Sequence, residues 1–202
     1  AAKTLKLVGE PSALPHLLEA LMNDEDPVVQ GSSAGAMAIF GEEAIEYLLK
    51  VLCNPASTSM QCGLATWALA FIGDKATKSI QKAAKSKNAV VRAAAIGALG
   101  DIVQSSEDQI TKGLIFDAMN DPVAEVRAEA IRLISNINVP ENIEKLLIEK
   151  LKDKNIIVRK SAVLSLMKIN SIHSINALKT LSETETEKSL LKIINLAITK
   201  IS

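Results

Sequence analysis

Three stretches of this sequence, VVRAAAIGALGDI from Val90, EVRAEAIRLISNI from Glu125 and IVRKSAVLSLMKI from Ile157, superimpose on one another without gaps. Two weaker copies stand upstream, VVQGSSAGAMAIFG from Val28 and MQCGLATWALAFIG from Met60, in which Gln30 and Cys62 hold the Arg position. A last copy, SLLKIINLAITKIS from Ser189, keeps mainly the apolar spacing. Counting the Val of the Val-Arg pair as position 0, the anchors are Val29, Gln61, Val91, Val126, Val158 and Leu190, at separations of 32, 30, 35, 32 and 32 residues. Similarity at a fixed period of this size marks stacked supersecondary units, each of which buries its apolar face against its neighbours.

Within each copy small or apolar residues recur at positions 0, 4, 7, 8 and 11, as in Val91, Ala95, Ala98, Leu99 and Ile102, which is the spacing of one buried stripe on a helix. Position 12 is often Gly or Asn (Gly9, Gly41, Gly73, Asn138, Asn170), residues that tolerate the left-handed conformation ending a helix. A second apolar run precedes each anchor, such as LPHLLEALM, AIEYLLKVL, QITKGLIFDAM and IEKLLIEKL. Between the two runs lie NDEDP, CNP, NDP and KDKN, ending at Pro27, Pro55, Pro122 and Asn155. Asp and Asn there cap the following helix and Pro pre-sets a first-turn φ. Each unit is therefore read as a helical hairpin.

Composition agrees with an all-α chain. Of 202 residues 48% are hydrophobic, enough for a substantial core, yet only 2% are aromatic, and the apolar content is Ala, Ile, Leu and Val. Charges balance at 23 basic and 23 acidic, which leaves no global field to attract nucleic acid or an anionic membrane. Cys53 and Cys62 make neither a disulfide framework nor a metal-ligand cluster, and a reducing cytoplasmic setting is expected. The longest uncharged run, 51–73, carries Asn54, Pro55, Ser57, Thr58, Ser59 and Gln61, which argues against a membrane span. By the repeat register Ala1 falls at position 4 of an inner helix, so residues 1–202 are expected to form a single repeat domain that begins inside a repeat of a longer protein.

The sequence of Asp, then Val-Arg, then spaced Ala and Leu, then Gly resembles the HEAT repeat, in particular the short HEAT-like units of the phycobilin-lyase type, over essentially the whole chain. The resemblance implies a right-handed α-solenoid of about six stacked hairpins, armadillo-like in build, whose second helices line a concave face. It also implies a ladder in which Arg92, Arg127 and Arg159, at position 1, combine with groups such as Asp121 and Asp153 to link consecutive units and cap helices. At the last turn, SETETEKS, the acidic Glu183, Glu185 and Glu187 favour the start of the final helix.

Helical geometry sends positions 2, 3, 6 and 10 away from the buried stripe. In the first copy these are Gly31, Ser32, Gly35 and Ile39, and in the second Gly63, Leu64, Trp67 and Phe71. The third gives Ala93, Ala94, Gly97 and Asp101, and the later copies are charged and mixed, as in Glu129, Arg132, Lys160 and Lys168. The only tryptophan thus stands one helical turn from a phenylalanine in an uncharged segment. Two placements fit this spacing. The rings form an exposed ridge beside Leu64 and Ile39 over the glycines Gly35 and Gly63, as in a binding hot spot, or curvature packs them against adjacent inner helices where Gly31, Gly35 and Gly97 make room. Local charge is uneven: residues 1–74 hold three basic and nine acidic groups, and residues 75–100 hold six basic and no acidic ones. Lys75, Lys78, Lys82 and Lys85 form a stripe on one first helix, expected to be solvated.

Catalysis has little to stand on. HEAT-like deoxyhypusine hydroxylases rely on paired His-Glu motifs for iron, whereas His16 precedes Leu17 and His173 precedes Ser174, about five repeats apart. No metal, cofactor or catalytic residue is assigned, and Cys62 has neither a base nor a basic neighbour in sequence to activate it. The reading is a non-catalytic scaffold that binds a protein or peptide partner on the concave face through Trp67, Phe71, Leu64, Ile39, Gly35 and Gly63. The alternative is a bilin lyase-like or chaperone-like subunit handling a tetrapyrrole or another apolar small molecule.

Overall fold

The computed structural model describes residues 10–103, 108–136 and 142–201, with the side chains of Asp74 and of residues 101–103 left aside. The expectations for the partial helix at the N-terminus, for Gly9 and Asn138 as helix stops and for Asp101 on the exposed face lie outside these described residues. Among them the secondary structure is helical throughout: twelve α-helices and three short 3-10 turns, with no strand. The chain divides into two compact units, Ala1–Ser106 and Glu107–Ser202.

The first unit stacks three hairpins: α1 (Leu14–Asn23) with α2 (Pro27–Ile39), α3 (Ile45–Cys53) with α4 (Ser59–Ile72), and α5 (Asp74–Ala83) with α6 (Ala89–Val103). The second unit repeats the plan with α7 (Gln109–Ala118) and α8 (Ala124–Ile134), α9 (Ile143–Lys150) and α10 (Ile156–Lys168), and α11 (Ile175–Thr184) and α12 (Lys188–Ile201). In the first unit α2 packs on α4 and α4 on α6; in the second α8 packs on α10 and α10 on α12. The fold is the all-α, HEAT-like solenoid type that the repeat implies.

The buried stripe falls where the repeat register puts it. Ala65, Ala68 and Leu69 of α4, Ala95, Ala98 and Leu99 of α6, and Val158, Ala162 and Leu166 of α10 are buried. Alanines at positions 4 and 7 let neighbouring second helices approach closely, and the gaps are filled by first-helix residues such as Leu17, Leu21, Leu48 and Ile80. Where position 7 is Ser165, its hydroxyl donates to the Ile131 carbonyl of α8 at 2.9 Å. Position 4 of α2 is Ser33, fully buried, whose oxygen has no hydrogen-bond partner among the described residues.

Helix starts follow local chemistry. Asp26, Asn88, Asp108 and Asn155 each accept a backbone N–H two residues on, at 2.8 to 3.0 Å, and Thr58 with Gln61 forms a capping box at α4. Pro27 opens α2 at its first position as expected, but Pro55 and Pro122 sit in the turns ahead of α4 and α8, not in their first helical turn. Gly41, Gly73 and Asn170 take positive φ (63°, 74° and 54°), the left-handed stops anticipated at position 12.

In the second unit the expected ladder is present. Arg127 grips both carboxylate oxygens of Asp153, in the next hairpin, at 2.8 Å, while its Nη1 donates to the carbonyls of Asp121 and Pro122. Arg159 repeats this on Glu185 and on the Asp153 and Lys154 carbonyls. Glu185 is thus more than a helix-start acid: it also accepts the N–H groups of Thr186 and Glu187. In the first unit the link at the second hairpin is a neutral amide. Gln61, buried at the anchor position, donates to the carbonyls of Leu21 and Met22 at the end of α1 and accepts from Thr58 N–H. Among the described residues no helix is long and apolar enough to cross a membrane.

Two expectations follow. Gln61→Leu leaves two carbonyls of α1 without their donor and removes half of the capping box, so chemical denaturation should show a loss of about 2 kcal/mol, whereas Ser33→Ala, which deletes an orphaned hydroxyl, should be neutral or stabilising. The second concerns acid. Burial pushes the Asp153 carboxyl up, but hydrogen bonds from Arg127 and the Asn155 N–H outweigh it and hold the group below its ordinary value. A carboxyl depressed in the folded state stabilises fully above its unfolded pKa and loses that stability as pH falls through the folded value. Stability should therefore fall as pH drops below about 4, with a shallower decline in Asp153→Asn, itself less stable at pH 7 by on the order of 3 kcal/mol, as read by thermal unfolding across pH.

Candidate functional site

Helix α4 runs from Ser59 to Ile72 without one charged side chain. A helix apolar all round is normally buried all round, and this one is not. Its inner stripe, Gln61, Ala65, Ala68 and Leu69, is sealed in the stack, while on the other side Trp67 is 52% exposed and Phe71 65%. The two rings stand one turn apart with centroids 5.8 Å apart, tilted by 34°, so they make one continuous aromatic surface.

The neighbouring helix sets how far they protrude. A Cβ on Gly35 of α2 would lie 4.0 Å from Cζ3 of Trp67, and one on Gly31 would lie 3.9 Å from Cδ2 of Leu64. Both distances are ordinary van der Waals contact, so one edge of the indole lies beside Gly35 and a half-buried Leu64 beside Gly31 without either glycine being needed to clear space. Of the two placements anticipated from the spacing, the rings take the exposed one, with a single indole edge in ordinary contact beside Gly35. Ile39, at the end of the same face of α2, is 49% exposed. Gly63 differs. It is exposed and a Cβ there would meet nothing within 4 Å, so it clears no space for a ring.

The face also extends one turn further toward the helix starts than positions 2, 3, 6 and 10 foresee. Val28, Met60 and Val90, all at position −1, are exposed large apolar side chains at the second residue of α2, α4 and α6. Position −1 precedes position 3 by four residues and so lies on the same stripe. The signal was present in the repeat alignment, where this column reads Val, Met, Val in the first three copies. On α4 the stripe is thus Met60, Leu64, Trp67 and Phe71. Exposed apolar side chains grouped in this way are the kind of surface that binding sites use.

The corresponding positions in the second unit are mixed: Ile157 at position −1 and Leu164 and Leu196 at position 6 are exposed and apolar, beside charged and polar neighbours. Arg132 and Glu129 of α8 bind each other, and Lys168 of α10 donates to Asn136. Ionisable chemistry near the aromatic pair is sparse. Cys62 stands at position 1, roughly half a turn round α4 from the exposed stripe, and burial raises its thiol pKa, as it does for Cys53. Both are thiols at neutral pH. His16 and His173 are exposed, one in each unit, and among the described residues no group of three or more His, Cys, Asp and Glu could hold a metal ion. The arrangement is suited to holding a flat apolar ligand or side chain.

Comparison with known proteins agrees with the fold. A family model described by the words HEAT repeats matches residues 113–197. The bilin biosynthesis protein MpeU of Synechococcus sp. (strain WH8020) is 45% identical over an alignment of 221 positions, covering 94% of this chain and 74% of that protein. Among solved structures, the complex of CpcE and CpcF of phycocyanin lyase from Nostoc sp. PCC7120 matches with a TM-score of 0.50 and 23% identity, over 77% of this chain and 99% of that one. At that identity the likeness is one of fold.

Since Gly63 gives no clearance, Gly63→Ala should raise stability by roughly 0.5–1 kcal/mol through helix propensity alone, measured by urea denaturation. A loss of stability there would mean that α4 needs the bare backbone.

Proposed function

The chain belongs to the HEAT-repeat family of the phycobilin-lyase type, and from that premise we propose that it handles a bilin, as a lyase-like or chaperone-like subunit that holds the tetrapyrrole on the exposed face of α2, α4 and α6. The observation that carries the proposal is the half-exposed Trp67 and Phe71 pair on a helix without charge, flanked by Leu64, Ile39 and Met60. A linear tetrapyrrole is a chain of flat conjugated rings. Its rings stack on an indole and a phenyl in the manner of any aromatic pair, and the bare Gly35 backbone lets a flat ligand approach beside the indole edge. Ile39 and Leu64 supply the apolar margins. The role is to bind and present the pigment, with no side chain of this chain assigned to bond formation.

The similarity to a bilin biosynthesis protein at 45% identity favours this reading over a general peptide-binding scaffold, which would use the same residues. A protein partner belongs to the proposal as well, because handling a pigment for attachment requires an acceptor, and the phycocyanin lyase of like fold is a complex of two proteins.

Trp67 is the only tryptophan and sits in the proposed contact, so its emission reports on the site directly. Biliverdin, used as the probe, should quench it saturably. Trp67→Ala should weaken biliverdin binding by about 30-fold, the equivalent of the roughly 2 kcal/mol lost with a hot-spot aromatic, and leave the melting temperature close to that of the wild type because half of the ring is already in water. Unchanged emission on titration, or equal affinity in the variant, would overturn the bilin reading; saturable quenching by an apolar peptide and not by biliverdin would return the ridge to the scaffold reading.

A further inference from the structure

The first unit carries a second surface, away from the aromatic ridge. Its origin is legible in the spacing of the anchors: Gln61 and Val91 are 30 residues apart where the usual interval is 32. In the structure the shortening falls between α4 and α5. The link from α2 to α3 includes a 3-10 turn, Gly41–Ala44, whereas α4 passes to α5 through Gly73 alone, at φ 74° and ψ −141°. This backbone conformation is one that residues with a Cβ rarely adopt.

The outcome is a wedge between the first helices of the second and third hairpins. At one end α5 touches the Gly41–Ala44 turn, where Lys75 and Glu42 approach to 3.6 Å. Beyond that contact α6 packs against both α3 and α4, and a cavity of about 830 Å³ lies between α3 and α5. Its floor is apolar, from Ile45 and Leu49 of α3 and Val91 of α6. Its two rims carry opposite charge: Glu43 and Glu46 on the α3 side, Lys82 and Lys85 on the α5 side. All four are exposed, and none has an ion-pair or hydrogen-bond partner for its side chain among the described residues. The cavity of about 540 Å³ beside α9 and α11 in the second unit makes a contrast, since two of its three charged wall residues, Arg159 and Glu185, are bonded to each other and Lys152 faces no free carboxylate across it.

Two unpaired charge rows facing each other across an apolar floor narrow the choice of occupant. A polyanion such as nucleic acid is attracted by one rim and repelled by the other. A helix is roughly 10–12 Å wide, has an apolar stripe for the floor and has two independent edges for the rims. We infer that the α3–α5 wedge is a docking slot for an amphipathic α-helix of a partner protein, with carboxylates along the edge beside Lys82 and Lys85 and ammonium or guanidinium groups along the edge beside Glu43 and Glu46. The inference does not depend on the bilin reading, because the slot uses neither Trp67 nor Phe71.

Designed helical peptides test it. Three probes share one leucine stripe and differ in their edges: one edge Glu and one Lys, both Glu, or both Lys. By fluorescence anisotropy at low salt, the mixed-edge peptide should bind at least about tenfold more tightly than either of the others, since each of those sets like charges together along one rim. The double variant Lys82→Glu, Lys85→Glu makes both rims acidic, and its preference should pass to the peptide with two Lys edges. Thermal unfolding should be little changed, because both lysines are exposed, and Trp67→Ala should leave all three affinities where they were. The inference is overturned if the three peptides bind the wild type alike, if none binds, or if the double variant keeps the wild-type ranking.

Discussion

A pair of short helices has too little interior to stay folded alone, so each hairpin here depends on burying one stripe of its second helix against the next. The alanines at positions 4 and 7, such as Ala65, Ala68, Ala95 and Ala98, make that possible by letting helices approach to backbone distance. Once this stripe is fixed inward, helical geometry leaves no freedom on the other side: positions −1, 3, 6 and 10 must face out. The exposed face is therefore a consequence of core packing, and its chemistry is set independently of stability. Trp67 and Phe71 can be large because they fill no core volume; Gly31 and Gly35 can be bare because the neighbouring helix brings its own side chains over them.

The junctions between hairpins solve one problem by two chemistries. Carbonyls at the end of a first helix and N–H groups at the start of the next need partners wherever the stack buries them. The second unit uses charge. The Arg127 and Asp153 side chains are only 8% and 11% exposed, yet the guanidinium makes four hydrogen bonds, two to the carboxylate and two to carbonyls, which offset the desolvation of the pair. The first unit uses charge too, since Arg92 donates to the Ser86 and Lys87 carbonyls, and adds a neutral amide, Gln61 at the apolar anchor position, on carbonyls at the end of α1. An amide costs less to bury than an ion and does not titrate.

Repeat register, hairpin order and the inward stripe were legible in the sequence, because each rests on local geometry that a 3.6-residue period exposes directly, whereas the caps were legible only in part: Asp26 and Asn155 cap as expected, but α4 starts on Thr58 and Gln61. The aromatic pair was legible as a position but not as a surface. Whether a ring at position 6 is covered depends on the size and offset of the facing helix, and the structure leaves Trp67 half exposed with one indole edge beside Gly35. Met60 escaped because the outward positions were counted from the anchor forward, although the stripe begins one turn earlier. Gln61 read as a weakened Val, since its worth lies in the Leu21 and Met22 carbonyls forty residues back in the chain. Glu185 read as a helix-start charge for the same reason: its partner Arg159 is in another hairpin.

The second hairpin takes part in both surfaces. Its α4 carries the ridge of Trp67 and Phe71, and its α3 forms one rim of the wedge; the two helices pack together along their length and are joined by a turn in which Asn54, Ser57 and Thr58 all hold backbone or side-chain hydrogen bonds. A partner helix in the wedge and a flat ligand on the ridge would then contact one rigid piece of the chain from two sides. Neither surface requires the other to form, so occupancy of one need not alter the other's affinity. What the hairpin fixes is distance and orientation, and in the proposed role of presenting a pigment to another protein, orientation held by a rigid body is the part of the task that binding affinity alone does not provide.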